Sequence, residues 1–318
     1  MKRGFLDISF AWLFGIIAGA TIIIISVFAA TKIIHLGQQQ VGAGSQAQLG
    51  TLLNPLQTGF QSGEISSLLF PAETRVYNQC DTTGNFGEEI ISVSQQSLNQ
   101  WPVPTSGTAF QDKYLFSQNI TQGKSFYLFS KPFNFPFKVA DLIYMTSSGQ
   151  DYCFVNPPQN VNGELSNLNE GNIILSTSMT NCTKNSITVC FDGSQGCNLS
   201  VDYSGGTVTN SNGTVMTFPN DALMYGAIFS NPGVYECQVQ RLMERGMQLD
   251  SLYQSKINMF TAAGCNNMQN LGQDLSGLSS SENSVLDSSQ PPSAGLALAS
   301  TSAATLDSDN SGSPCPLY

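Results

Sequence analysis

The sequence predicts an α+β protein: an N-terminal transmembrane helix, then a strand-rich, disulfide-stabilised external domain with C-terminal helices and a disordered tail. Three observations predict this fold. An uncharged apolar run lies near the N-terminus, segments rich in β-branched and aromatic residues follow it, and eight cysteines lie beyond it. The predicted parts are a cytoplasmic N-terminus with the transmembrane helix, a juxtamembrane stalk, an external α+β domain and a low-complexity tail, at residues 1–36, 37–62, 63–278 and 279–318.

The apolar run, Ile8 to Ala30, contains no ionisable side chain. As a helix it measures about 35 Å, which is enough to cross a hydrocarbon core of about 30 Å. Lys2 and Arg3 precede the run, and Lys32 alone follows it closely. Because basic residues favour the cytoplasmic side, we expect a cytoplasmic N-terminus, an external body and a lipid bilayer as the partner of residues 8–31.

Two interpretations of this run come from the residues themselves. It is either an uncleaved anchor or a secretory signal cleaved after Val27-Phe28-Ala29, although its apolar region is longer than that of most signals. Within the run, Gly15 and Gly19 form a Gly-x-x-x-Gly face that suits close packing against another helix. A helix partner in the membrane is therefore a further expectation.

A third interpretation comes from a resemblance. The stretch KRGF at residues 2–5, directly ahead of a long apolar helix, resembles the processing site of type IV prepilins and archaeal class III signal peptides. The resemblance covers about the first 30 residues. It implies cleavage between Gly4 and Phe5, which leaves the helix to anchor the protein or to pack among filament subunits. The sequence departs from the bacterial pattern, because Ser9 stands where a glutamate is usual and the acid is Asp7.

The charge of the body argues against nucleic acid as a partner. Only 11% of the 318 residues are charged. Beyond Leu36 there are nine basic and 21 acidic residues, a balance of −12. Such a chain repels phosphate backbones, so we expect no nucleic-acid binding.

The eight cysteines predict four disulfides in an oxidising compartment. They are Cys80, Cys153, Cys182, Cys190, Cys197, Cys237, Cys265 and Cys315. Their pairing is open, since eight cysteines allow 105 connectivities. One pairing is excluded: a continuous helix over GVYECQVQRLMERGMQLDSLYQSKINMFTAAG places Cys237 and Cys265 about 42 Å apart.

Segments such as EEIISVSQ, KSFYLFS and DYCFV predict strands, and Asn212-Gly213 predicts a hairpin turn. Asn220 is a candidate N-cap, and after Pro232 apolar residues recur at helical spacing until Gly264. From residue 279 the chain consists mainly of Ser, Ala, Asp and Gly. This segment has few large apolar groups to bury, so we expect a flexible tail.

The sequence lacks several kinds of catalytic chemistry. Its only histidine is His35, at the membrane boundary, so the body has no Ser-His or Cys-His centre and no mixed Cys/His zinc site. No phosphate loop or dinucleotide fingerprint occurs, and we expect no catalytic residue, cofactor or metal. A carboxylate pair assembled in space remains open. Glu88 and Glu89 do not form one, because neighbours on a strand point to opposite faces.

The stretch FYLFSKPFNFPFKVADLIY contains a candidate binding patch: Lys131, Phe133, Phe135, Phe137 and Lys138. One interpretation is a platform for a ligand or glycan, with stacking rings and lysines that attract anions. The favoured interpretation is a strand followed by a helix, with the aromatic rings in the core.

Four Asn-x-Ser/Thr sequences are candidate glycosylation sites in a glycosylating organism: Asn119, Asn181, Asn198 and Asn212.

A wider resemblance rests on FPFKVADLIY, YCFVNPP, DALMYGAIFS and YECQVQRLM, in this order behind the apolar run. These segments are similar to uncharacterised single-pass membrane proteins of small-genome archaea, up to about residue 270. The resemblance implies an archaeal envelope location and no particular activity. The sequence thus favours a membrane-anchored, non-enzymatic cell-surface protein, with a pilin-like subunit and a histidine-free ectoenzyme as the alternatives.

Overall fold

The structure, a computed structural model, describes residues 12–30, 32, 65–97, 99–265, 268–287 and 292–318. Its first helix, α1 (Trp12–Ala30), is long and apolar enough to cross a membrane, and no other helix in these ranges is. The large apolar side chains of α1 are exposed. The processing site at Gly4 and Phe5, His35 and the predicted stalk 37–62 lie outside the described residues.

The first sheet has six strands in the order β3-β2-β1-β5-β6-β4. They are β1 Ile65–Asp81, β2 Glu88–Gln95, β3 Thr108–Phe110, β4 Tyr114–Phe116, β5 Ile120–Asn134 and β6 Lys138–Ser147. All neighbours are antiparallel except β4 and β6. Both faces of this sheet are apolar: Phe116 and Phe129 belong to the main core, whereas Val93 and Leu128 belong to a second, smaller cluster.

The second sheet also has six strands, in the order β12-β11-β10-β9-β7-β8. They are β7 Tyr152–Val155, β8 Ile173–Ser176, β9 Ile187–Cys190, β10 Leu199–Asp202, β11 Thr207–Asn210 and β12 Val215–Thr217. β8, β7, β9 and β10 are parallel, and helix α2 (Gln159–Leu168) connects β7 to β8. β11 and β12 form the hairpin predicted from Asn212-Gly213, and Gly213 has a φ of 85°, which glycine adopts readily.

Helix α3 (Asp221–Phe229) packs against strands of both sheets, which explains why nearly all its residues are buried. Asn220 caps it as predicted, since its side chain accepts a hydrogen bond from the Leu223 N–H. The long helix is also confirmed: α4 runs from Pro232 to Ala262 and Gly264, with a φ of 93°, follows its end. Helices α5 (Met268–Leu286) and α6 (Pro292–Gly312) complete the body.

The prediction of a disordered tail from residue 279 is wrong. Helix α6 packs along α5, and Leu296, Leu306 and Leu317 are buried. The composition misleads because small residues allow two helices to approach closely. At Gly295 an added Cβ atom would lie 2.8 Å from the backbone nitrogen of Val285 in α5. The few leucines therefore bury enough surface to order this segment.

The eight cysteines lie in four pairs at disulfide-bonding distance, with Cα–Cα separations of 5.7 to 6.2 Å. The pairs are Cys80–Cys237, Cys153–Cys182, Cys190–Cys197 and Cys265–Cys315. Cys237 and Cys265 do not pair with each other, as their positions in α4 and beyond its end require. The first pair joins β1 to α4, and the fourth joins the end of α4 to the segment after α6.

Candidate functional site

The structure separates the members of the predicted binding patch. Phe133, Phe135 and Phe137 are buried, so their rings fill the core, as the favoured interpretation stated. Lys131 pairs with Glu164 of α2 at 2.5 Å. The local structure differs from the prediction of a strand followed by a helix: β5 turns back through a cis Phe135–Pro136 bond into a second strand, β6. These three rings therefore offer no exposed platform.

Lys138, the fifth member of the patch, lines a cleft of about 400 Å³. The walls are the β1–β2 loop, the β3–β4 loop with the start of β4, the start of β6 and the middle of α4. They contribute Phe86, Gln111, Tyr114, Lys138, Asp141 and Arg245, among others. This volume lies within the usual range for small-molecule sites, and the lining combines basic and acidic side chains with an aromatic ring, so the cleft is the candidate functional site.

A buried arginine, Arg241 of α4, holds the two loops that form the cleft walls. Its guanidinium is inaccessible to solvent and donates hydrogen bonds of 2.9 to 3.3 Å to backbone carbonyls of both loops. The acceptors are the carbonyl oxygens of Phe86, Phe110, Gln111 and Lys113. Because a planar guanidinium has five donors in a rigid arrangement, one side chain fixes both loops relative to α4.

Arg241 also belongs to a buried polar cluster with Glu89 and Gln238. Its Nη1 lies 2.9 Å from the Gln238 Oε1 and 3.5 Å from the Glu89 Oε2, and Gln238 donates from Nε2 to the same Glu89 oxygen. Burial raises the pKa of Glu89 to about 8, although the charge of Arg241 opposes the rise. Burial lowers the pKa of Arg241, and Glu89 opposes that shift. Glu88 and Glu89 are neighbours on a strand and face opposite sides of the sheet, as expected, so only the Glu89 side chain is buried.

The charges at the cleft surface are mostly paired. Lys138 forms an ion pair with Asp141 at 2.8 Å, and Asp112 lies 3.6 Å from Lys113. Arg245, one helical turn after Arg241, is partly buried and lines the cleft. Among the described residues it forms no ion pair or hydrogen bond. The cleft thus presents one unpaired guanidinium, a group suited to binding an anion.

A second polar cluster lies between α2 and α3. Asn160 and Glu164, one turn apart on α2, hydrogen-bond to Asp221 and Tyr225, one turn apart on α3. Burial, followed by the charge of Glu164, raises the pKa of Tyr225. Since Lys131 pairs with Glu164, this cluster connects β5, α2 and α3. Its groups hydrogen-bond to one another, which indicates a structural role.

The four candidate glycosylation residues, Asn119, Asn181, Asn198 and Asn212, are all exposed. The side chain of Asn198 already forms hydrogen bonds: its Oδ1 accepts from the backbone nitrogen and the hydroxyl of Thr188. In the described ranges, no group of three or more His, Cys, Asp or Glu side chains is placed to hold a metal ion.

Sequence reasoning did not identify Arg241, Gln238 or Arg245. A signal was present: Val234, Gln238 and Arg241 have the spacing of one helix face, and Val234 is apolar. A polar pair on the apolar face of a helix indicates buried polar residues that need partners. Where those partners lie could not be read from the sequence.

No protein-family model matches this chain, and no curated protein or solved structure matches it. The position of the apolar helix and the chemistry of the cleft are therefore the basis for a functional proposal.

Proposed function

We propose that this chain is a single-pass, membrane-anchored cell-surface protein with a non-enzymatic structural or binding role. Its N-terminus is cytoplasmic, residues 8–31 lie in the bilayer and the body is external. One observation carries the proposal: an exposed apolar helix precedes a body in which every cysteine is paired.

The exposure of α1 supports the bilayer as its partner. Side chains such as Trp12, Ile16 and Ile24 are more than half exposed, although contact of large apolar groups with water is unfavourable. The 19 residues of α1 measure about 28 Å, close to the thickness of a hydrocarbon core. A bilayer would remove these side chains from water along the full length of the helix.

The disulfides support an external body. Cysteine pairs persist in oxidising compartments and are rare in the reducing cytosol. All eight cysteines follow the apolar run, from Cys80 to Cys315. The basic residues Lys2 and Arg3 precede it, which favours the same orientation independently.

Membrane fractionation tests the anchor. We expect the full chain to stay in the membrane pellet after an alkaline wash and to leave it only in detergent. A variant with Ile23→Lys and Ile24→Lys should be released, because each charge at the centre of a span costs about 2.5 to 3.5 kcal/mol. Leu252→Lys, which adds a charge at an exposed site of the body, should remain in the pellet. Recovery of the unaltered chain in the soluble fraction would contradict the proposal.

Protease treatment of intact cells tests the orientation. We expect external protease to digest the body, and a maleimide reagent to label cysteines only after reduction. A body protected from protease until the cells are lysed, or eight thiols labelled without reductant, would place it in the cytoplasm.

A pilin-like subunit is the second candidate. The KRGF sequence ahead of α1 favours it, as does the open surface at Gly15 and Gly19, where an added Cβ would meet no atom within 4 Å. In this alternative a peptidase cuts after Gly4 and subunits assemble through α1. N-terminal sequencing of protein from native membranes decides: a terminus at Phe5 supports the pilin-like subunit, and retention of Met1 or Lys2 supports the simple anchor. A terminus near Ala30 would contradict both.

A further inference from the structure

We propose that the cleft between the β1–β2 loop, the β3–β4 loop, β6 and α4 binds a small ligand through one carboxylate group, with Arg245 as its partner. This inference goes beyond the proposed membrane anchoring and does not depend on it. It rests on the shape of the cleft, its charge and its apolar wall.

The cleft has a fixed shape. The backbone carbonyls of its two loops accept hydrogen bonds from Arg241, which is fully buried. The disulfide between Cys80 and Cys237 attaches the same part of α4 to β1. A ligand entering the cleft therefore meets walls that need little ordering, and preformed walls reduce the entropic cost of binding.

The unpaired charge in the cleft selects an anionic group. Lys138 is neutralised by Asp141, and Asp112 lies beside Lys113, so Arg245 alone among the described cleft residues has no charged partner. Partial burial makes its charge more effective than that of a fully solvated side chain. The parallel N–H groups of a guanidinium match the two oxygens of a carboxylate.

The balance of charge in the cleft favours a ligand with a single negative charge. Lys138 and Asp141 cancel each other, so Arg245 is the guanidinium left to compensate an anion. A doubly charged phosphate or sulfate would keep one uncompensated charge beside a chain whose net charge is −10. A monoanionic carboxylate is neutralised by Arg245 alone.

Part of the remaining wall is apolar and favours a ligand with a ring or hydrocarbon body. Phe86 and Ala140 are partly exposed at the cleft. Two common sources supply a carboxylate on such a body: an acidic sugar, whose ring face is apolar, and an amino-acid derivative with its carboxylate free. The shared chemistry is one carboxylate beside an apolar surface.

Isothermal titration of the full chain, in a non-ionic detergent without a sugar headgroup, tests the proposal. The carboxylate probes are D-glucuronate and N-acetylphenylalanine. Their neutral counterparts are D-glucose and N-acetylphenylalanine amide, and sulfate is the dianion. We expect saturable binding of at least one carboxylate probe, at least about tenfold tighter than its neutral counterpart, because a hydrogen bond to a charged group is stronger than one to a neutral group.

Matched variants assign the binding to Arg245. Arg245→Gln should weaken the bound carboxylate about tenfold or more, and Arg245→Lys should weaken it less because the charge remains. Lys124→Gln removes the same charge from an exposed position outside the cleft and should leave the affinity unchanged.

The possible results either support or overturn the proposal. Binding of glucuronate alone identifies an acidic sugar, binding of N-acetylphenylalanine alone identifies an amino-acid carboxylate, and binding of both supports the class. The proposal is overturned if neither carboxylate binds at 10 mM, if a neutral counterpart or sulfate binds as tightly, or if Arg245→Gln binds like the unaltered chain. Because Arg245 makes no bond that holds the fold, its variants should unfold at the same temperature as the unaltered chain.

Discussion

Cys237 and Arg241, one turn apart on α4, attach that helix to the same end of the β1–β2 hairpin. Cys237 forms a disulfide with Cys80, and Arg241 contacts Glu89, which faces Cys80 across the β1–β2 ladder. A disulfide and a buried polar cluster therefore hold α4 to the β1–β2 hairpin at the same place. The cleft lies beside this attachment, so its shape depends on it.

The first prediction concerns Arg241. Arg241→Met removes the charge partner of Glu89 and the donor to four loop carbonyls, so we expect the free energy of unfolding to fall by about 3 to 5 kcal/mol. Arg241→Lys keeps the charge but not the rigid arrangement of donors, so its free energy of unfolding should fall by an intermediate amount. Urea denaturation followed by circular dichroism measures both. A loss below about 0.5 kcal/mol for Arg241→Met would show that the cluster does not hold the loops.

The second prediction tests the close packing of α6 on α5. Gly295→Ala brings a Cβ atom within 2.9 Å of the Ser284 and Val285 backbone, which cannot yield as a side-chain end can. We expect a loss of about 1 to 3 kcal/mol in thermal unfolding experiments.

Gly277→Ala is the matched control on α5, because an added Cβ there meets no atom within 4 Å. We expect it to stabilise the helix by up to about 1 kcal/mol, since alanine has the higher helix propensity. Equal effects of the two substitutions would contradict the packing of α6 described above.

The third prediction concerns the Cys265–Cys315 pair, which closes a segment with a sequence separation of 50 residues. Replacing both cysteines by serine removes a constraint of about 4 kcal/mol in the chain-entropy estimate. We expect proteinase K to cleave between residues 268 and 318 faster than in the unaltered chain. The double replacement of Cys153 and Cys182 should leave cleavage in this segment unchanged. Rapid cleavage of the unaltered, oxidised chain there would restore the idea of a flexible tail.

The fourth prediction is a decline in stability as pH rises. Several buried carboxyl groups have raised pKa values: burial raises that of Glu89 to about 8 and that of Glu170 to about 7. Asp250 and Glu282 face each other between α4 and α5, and burial, followed for Glu282 by the charge of Asp250, raises the pKa of both.

The sign follows from proton binding. In the unfolded chain these carboxyl groups lose their protons once the pH exceeds their ordinary pKa values, 3.8 for Asp and 4.5 for Glu. The folded chain keeps the protons to a higher pH. The stabilising effect is thus complete below the ordinary values and is lost as pH rises toward about 7 for Glu170 and Asp250, about 8 for Glu89 and about 10 for Glu282. The loss is about 1.4 kcal/mol per pH unit for each retained proton. Asp192 and Asp202 have the opposite effect on stability: hydrogen bonds lower their pKa values, so their contribution is lost as the pH falls. We expect maximum stability near pH 4 to 5, measured by denaturation at each pH.

Glu282→Gln isolates one of these groups. Glutamine has a similar shape and cannot ionise, so this variant should be more stable than the unaltered chain at pH 9 and comparable to it at pH 4. Glu236→Gln, at an exposed position of α4, is the matched control for replacing a glutamate by glutamine. Identical profiles for Glu282→Gln and the unaltered chain would contradict the assignment.

Local patterns were sufficient for several elements. The apolar run predicts α1, Asn212-Gly213 predicts the β11–β12 turn, and Asn220 predicts the start of α3. The spacing of apolar residues after Pro232 predicts α4. In each case the deciding interactions lie within a few residues along the chain, so no knowledge of the fold was needed.

The same locality explains the errors. The tail appeared too poor in large apolar groups to fold, but its burial depends on α5 lying alongside it. In the patch of five residues the rings lie in the core as predicted, but the predicted helix is wrong: the turn after Phe135 leads into strand β6 and brings Lys138 to the cleft.

The sequence by itself determined the apolar helix, the α+β composition, the lack of a histidine in the body and the exclusion of a Cys237–Cys265 pair. These follow from residue types and from distances along one element. Only the tertiary structure decided which cysteines pair, that Arg241 is buried beside Glu89, and that Arg245 lines a cleft. Cys80 and Cys237 are 157 residues apart. Contacts over such separations depend on how both sheets and α4 pack, because burial and charge pairing are properties of the assembled fold.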